Sequence, residues 1–360
     1  MINSSASARS AVSGSTKSEH RFPWKWNLAD LKDVQKHGHT VFSCFSCGGG
    51  SSMGYKLAGY DVIGCCEIDP RMLAIYQKNL HPRLPYCADV RDFLQKEMYA
   101  VHADELLNLD VLDGSPPCSV FSTAGDREEG WNKEKVFREG QAKQKLDDLF
   151  FHFIAIAKEL QPKIVIAENV SGLIKGNAKG YVNEIFKAFQ EAGYVPQLFL
   201  LNAAFMGVPQ RRERTVFVAR RKDLGLPKLR LLFNEKPIYF GEVRSEHGKP
   251  YEWTYVRELS RYKSGDRTIS AIKERYGEKS AGFNHTICAD NQVHPTLPSA
   301  GYAFRGYDKA LLTDADLRSI QTFPQDYDFG DQPVKYVCGM SVPPVMMAQI
   351  ATEVYEQWLK

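Results

Sequence analysis

The chain has 360 residues, which suits one large domain or two smaller ones. Its 43% hydrophobic and 25% charged residues make an ordinary globular composition, no apolar run approaches the ~18 residues of a membrane span, and the N-terminus has no apolar h-region of a secretory signal. The net charge of +3 is too small to argue for nucleic acid by itself, and the eight cysteines, at 44, 47, 65, 66, 87, 118, 288 and 338, are expected to be free thiols of a cytoplasmic protein rather than a disulfide framework.

Residues 1–20 hold seven serines and almost no large apolar side chains, so residues 1–38 are expected to form a disordered tail and a lead-in. From Thr40 strand and helix alternate, the pattern of an α/β fold with a doubly wound, mostly parallel sheet. The predicted strands are Thr40–Ser46, Asp61–Glu67, a short one near Tyr86–Ala88, Leu109–Asp113, Lys163–Glu168, Pro196–Leu201 and Arg214–Arg220. Asp147–Leu160 has apolar residues at 149, 153, 156, 157 and 160, one face of a helix, and Tyr181–Ala192 is a second helix closed by Gly193. These elements place a first domain over residues 39–221. Residues 222–305 lose the period, and between Lys222 and Lys279 there are 13 Lys and Arg against 9 Asp and Glu, which suggests a second, smaller, irregular and mildly basic domain. Residues 306–360 return to the first domain and close with a terminal helix, Val342–Leu359, opened by Pro343-Pro344.

Several stretches carry chemistry. Phe45-Ser-Cys-Gly-Gly-Gly-Ser-Ser-Met-Gly54 follows the first strand and opens a helix, where glycines let a ligand approach backbone N–H groups. Glu67 ends the second strand, the place from which a carboxylate grips ribose hydroxyls, and Asp89 after the third can take an amine such as that of adenine. The glycines are not spaced as GxGxxG and no P-loop Gly-Lys is present, which favours S-adenosylmethionine over a nicotinamide or ATP. Pro116-Pro117-Cys118 then holds a thiol on a stiff turn at a strand end. Glu168-Asn169-Val170 closes a strongly apolar strand and offers a partly desolvated carboxyl as a proton donor, and Gln210-Arg-Arg-Glu-Arg214 offers a grip on a phosphate or carbonyl. Cys44-x-x-Cys47 has the spacing of half a zinc site, but no second pair completes it, so no metal is expected.

This order of motifs resembles that of the C5-cytosine DNA methyltransferases, over roughly residues 40–355. Leu312–Pro324 is similar to the family segment that supports the recognition domain, and Gly339-Met-Ser-Val-Pro-Pro344 to its late cofactor motif. The resemblance implies a Rossmann-like methyltransferase fold with a target-recognition domain. It implies a monomeric modification enzyme of the restriction–modification type that acts on double-stranded DNA, with a tRNA methyltransferase of the same family as the alternative. Cys118 would attack C6 of a flipped cytosine, Glu168 would hold or protonate N3, and Arg212 and Arg214 would fix the base and nearby backbone. S-adenosylmethionine would lie against Phe45, Gly49, Gly50, Glu67, Ile68, Asp89, Val90, Ser115, Pro117 and Ser341. The polar segment Ser119–Gln144 would close over the base. The chain departs from the family pattern at Cys47, where a glycine is usual, at Ser119, where a glutamine is usual, and at Met340 within the late Gly-Asn-Ser.

Overall fold

The computed structural model describes residues 20–93, 95, 100–117, 148–174, 179–252, 254–279 and 285–360. The serine-rich tail to residue 19, Cys118 and the segment Ser119–Gln144 lie outside the described residues.

The frame is a seven-stranded sheet of β1 (Thr40–Cys44), β2 (Asp61–Glu67), β3 (Leu84–Cys87), β4 (Val111–Gly114), β5 (Ile164–Val170), β6 (Tyr194–Asn202) and β7 (Glu213–Arg221), in the order β3-β2-β1-β4-β5-β7-β6. The first five strands pair in parallel, and β7 runs antiparallel to both β5 and β6. Both faces are covered, so the strands read as apolar runs whose successive residues part to opposite sides. Val41, Val62, Val111, Ile164, Ile166, Val216 and Val218 enter one core, and Phe42, Ile63, Leu112, Val165, Ala167, Phe217 and Ala219 the other. Helices α1 (Gly50–Leu57) and α2 (Pro70–Leu80) and the terminal helix cover the first face; α3 (Leu149–Leu160) and α4 (Lys179–Glu191) cover the second.

The chain runs outward from β1 through β2 to β3, then returns to β4 on the other side of β1. Ligands collect at such a reversal, beyond the carboxyl ends of the strands. β1 stops at Cys44 rather than at the expected Ser46, because Phe45 and Cys47 take left-handed φ values of 55° and 45°.

Beyond β7 the segment to Val243 still packs on the first core through Leu229, Leu231, Ile238 and Phe240. A small separate core of Leu259, Ile269, Ile272, Ile287 and Phe304 follows, built on α5 (Ile269–Arg275) and the parallel pair β8 (Thr286–Cys288) and β9 (Ala303–Arg305). Arg305 roots this module in the frame: it is fully buried, donates to Ser245 Oγ at 3.2 Å, and lies 3.7 Å from the buried carboxylate of Asp316 on α6 (Asp314–Gln321). The chain closes through α7 (Val334–Met340) and α8 (Pro344–Val354), which has Pro344 in its first turn and continues as a wider turn over Tyr355–Leu359. The lead-in from residue 20 is packed: Phe22 and Trp26 are buried, and Trp26 Nε1 donates to the Thr322 carbonyl at 2.9 Å.

Candidate active site

A cleft with about 840 Å³ of empty space, part of it open to solvent, lies across the ends of β1 to β4. Of the sequence-predicted cofactor residues, Phe45, Glu67, Ile68, Asp89, Val90, Ser115 and Pro117 line it. Glu67 is held from below: Oε2 accepts the Cys47 N–H at 2.7 Å and Oε1 the Asp69 N–H at 2.9 Å. Burial pushes its carboxyl up, although these two N–H groups pull the other way. Asp89 takes part less freely than expected, since Oδ2 lies 2.9 Å from Arg91 Nη1 and Oδ1 accepts the Arg91 N–H.

Gly49, Gly50 and Ser341 do not line the cleft; they support it. Gly49 caps α1 with φ of 82°, and a Cβ on Gly50 would stand 2.2 Å from the Val342 carbonyl oxygen, so only glycine allows α1 to meet the loop before α8. Ser341 is buried within that loop. Its place at the wall is taken by Tyr336 and Met340, one turn apart on α7. That i, i+4 pair beside the late motif was the available signal. Cys47 of the glycine-rich turn completes an apolar wall with Cys66, Met72 and Leu149, which the motifs do not mark.

On the neighbouring strand Glu168 is buried, with Arg214 Nε 2.9 Å from its Oε1; the angle makes this an ion pair rather than an aligned hydrogen bond. Asn169 sits between the two halves of the site. Its Nδ2 donates to the Pro116 carbonyl at 3.0 Å, while the Asn169 carbonyl accepts from Thr215 Oγ1 at 3.2 Å. The turn that leads into Cys118 is thus tied to the strand that carries Glu168, with Pro117 on the cleft. Arg212 is buried and points its Nη2 at the carbonyls of Ser341 and Gly339, at 3.1 and 3.3 Å. Its Nε and Nη1 have no hydrogen-bond partner among the described residues. Burial and the neighbouring Arg214 hold its guanidinium below its ordinary value. Gln210 Nε2 donates to Gln321 Oε1 at 2.7 Å, and Gln321 Nε2 donates to the Ser341 carbonyl at 2.7 Å, so the arginine-rich segment and the late loop form one block.

A family model for the C-5 cytosine-specific DNA methylases matches residues 39–356. The chain belongs to this family. A type II methyltransferase of Neisseria gonorrhoeae, M.NgoPII, is 32% identical over 350 residues, covering 87% of this chain and 94% of the relative. M.FnuDI of Fusobacterium nucleatum is 34% identical over 255 residues, 70% of this chain and 67% of the relative. A solved structure of a methyltransferase of Entamoeba histolytica, EhMeth, superposes with a TM-score of 0.62 at 14% identity, covering 90% of this chain and 100% of that one, which speaks for the fold. This C5 methylase is accordingly an enzyme of the DNA (cytosine-5)-methyltransferase class, related to restriction–modification enzymes.

One buried acid of the methylase was not foreseen. Asp113, on β4 and three residues before Pro116-Pro117, is 1% exposed and accepts from Ser43 Oγ at 2.7 Å and Tyr55 Oη at 3.3 Å. Burial pushes its carboxyl up to about 7. A group whose folded value lies above its unfolded one, about 3.9 for Asp, contributes stability that is complete below that value and lost as pH rises through about 7. Thermal melts should therefore show Tm falling by several degrees between these pH values, and Asp113→Asn should flatten that slope. An unchanged slope would show that Asp113 does not titrate there.

Proposed function

We propose that the protein transfers a methyl group from S-adenosylmethionine to C5 of a cytosine flipped from a specific duplex sequence, through a covalent bond between Cys118 and C6. The observation that carries this reading is the joint at Asn169, which binds the turn into Cys118 to the strand of the Glu168–Arg214 pair beside the cofactor cleft.

Cytosine C5 is a poor nucleophile. A thiolate adding at C6 turns the ring into an enamine, which splits a hard step into two easier ones. We assign this thiolate to Cys118, which follows Pro117 of the cleft in the sequence. Cys47 and Cys66 line the cleft, but burial pushes Cys47 up to about 12 and Cys66 further, so neither is a thiolate near neutral pH. Glu168 holds or protonates N3 and so takes up the charge that builds on the ring, an effect of about 10²–10⁴-fold. Arg214 orients that carboxyl, and the two free donors of Arg212 meet the base or its sugar-phosphate.

The donor set fits S-adenosylmethionine: the Glu67 carboxylate stands at a strand end for two ribose hydroxyls, and Phe45, Ile68, Val90 and Tyr336 offer apolar walls for a purine. When bound, the cofactor supplies the electrophilic methyl group that the activated C5 takes up; a base then removes the C5 proton, and the electrons of that bond expel the Cys118 thiolate from C6 and restore the ring. Among the described residues no group of His, Cys, Asp or Glu side chains is placed to hold a metal ion. A duplex hides C6, so the base must leave the stack. Residues 222–305 then form the domain that holds the DNA, Ser119–Gln144 the segment that closes over the base, and residues 39–221 and 306–360 the catalytic domain. The bacterial relatives support a cytoplasmic site of action, and no helix among the described residues is long and apolar enough to cross a membrane.

Bisulfite sequencing of duplex DNA treated with the protein and S-adenosylmethionine tests the reading. Protected cytosines in one short sequence context are expected. Labelled methyl groups appearing in tRNA and not in DNA would contradict it.

A further inference from the structure

Most arginines around the cleft are compensated within the protein. Arg214 faces Glu168, and Arg212 donates to loop carbonyls. Of the six arginines between Phe240 and Arg305, five have a carboxylate at ion-pair distance: Arg244, Arg257, Arg261, Arg275 and Arg305. The sixth, Arg267, is exposed and has no ion pair or side-chain hydrogen bond among the described residues, and the same holds for Arg211.

The segments that carry these two unpaired cations come together at one seam. Gln210–Arg211 runs parallel to His294–Pro295, and the Arg211 carbonyl accepts from Thr296 Oγ1 at 2.9 Å. The Arg267 carbonyl accepts the Ile287 N–H at 2.8 Å, in the strand that ends at Cys288. Both guanidinium charges act on the Cys288 thiol. Partial burial and the charge of Arg267 push Arg211 below its ordinary value, against the upward pull of Glu213. Two like charges brought together from distant segments oppose folding unless an anion joins them.

We propose that Arg211 and Arg267 clamp a single phosphodiester of the DNA backbone beside the target cytidine, one from the catalytic side and one from the recognition side. The inference rests on the DNA methyltransferase reading and adds the residues that set the register between its two domains. Arg211 directly precedes Arg212 and lies on the segment that carries the Arg214–Glu168 pair, so the phosphate it holds is close to the reacting nucleotide. A guanidinium matches phosphate oxygens with two parallel N–H donors, and such a contact positions the duplex without reading its sequence.

The test compares Arg211→Ala, Arg267→Ala, the double variant and Arg267→Lys with the wild type. The dissociation constant for a duplex carrying the bisulfite-mapped site is followed across KCl concentrations. Each alanine should weaken binding several-fold, on unrelated duplexes as much as on the specific one. The double variant should lower the slope of log Kd against log[KCl] by about 1, the value for one phosphate. Lysine should restore most of the slope, and S-adenosylmethionine affinity should not change. In duplexes with single methylphosphonate replacements, the advantage of wild type over the double variant should vanish at one position only. Unchanged affinity and slope in both single variants would overturn the clamp, as would a fall in slope of about 2, or two different methylphosphonate positions. Wild-type protein without salt-dependent DNA binding would instead overturn the DNA reading beneath it.

Discussion

Cys118→Ser should lose at least about 10³-fold in methyl transfer to DNA while retaining cofactor and DNA affinity, in the range seen when an enzyme loses its nucleophile. The reason is chemical. C5 has no other route to nucleophilic character, and a serine hydroxyl is a far weaker nucleophile than a thiolate. The residues that line the cofactor cleft on β1, β2 and β3 do not depend on position 118, so S-adenosylmethionine binding measured by equilibrium dialysis should stay within about twofold of wild type. Tritium transfer from labelled cofactor reads the loss of turnover. A serine variant that turns over within tenfold of wild type would remove the covalent step.

Glu168→Gln should lower kcat by about 10²–10⁴-fold, with little change in cofactor affinity. The amide keeps the size of the side chain and can still accept a hydrogen bond, but it cannot deliver a proton to N3. It also leaves Arg214, 2.9 Å away, with a buried charge that no carboxylate compensates. Breaking such a pair from one side costs about 3–5 kcal/mol, so a fall in Tm should accompany the loss of rate. The two effects separate in Arg214→Met, which removes the cation but leaves the carboxyl: its stability loss should equal or exceed that of Glu168→Gln, whereas its kcat should fall less. Equal losses of kcat in the two variants would mean that Glu168 serves only to hold the fold.

The parallel core was legible because a strand buried on both faces must be apolar at nearly every position, and Ile164–Ala167 or Val111–Leu112 can hardly be read otherwise. The placement of Glu67 on the cleft and of Glu168 as a buried strand-end acid was legible because a lone carboxylate closing an apolar strand stands out. What stayed hidden depends on contacts between distant parts of the chain. Ser341 shares the late motif with Met340, yet the turn of α7 puts Tyr336 and Met340 on the cleft and Ser341 behind it. Asn169 reads as a strand-end amide, and only the fold shows that it holds Pro116. Trp26 lies in a stretch with no periodicity, and its place against Thr322 follows from packing alone. Arg267 belongs to the irregular module, where no period marks which side chains face the catalytic domain.

The departures from the family pattern also take physical form. Cys47 stands at φ of 45°, a conformation that glycine adopts without strain, and still delivers its N–H to Glu67 at 2.7 Å. The backbone that presents the Glu67 carboxylate to the cleft is therefore kept despite the substitution, and the added thiol joins the apolar wall next to Met72, 3.8 Å from its sulfur.

The covalent step is tested most directly by a duplex in which the target cytosine carries fluorine at C5. Fluorine cannot leave as the proton does, so elimination is blocked and the adduct persists. Incubated with S-adenosylmethionine, the protein should form a denaturant-stable complex with this DNA, and peptide mass spectrometry should place the nucleotide on Cys118. Normal methylation of the unfluorinated duplex with no trapped complex, or a nucleotide attached to Cys47 or Cys66, would contradict the account.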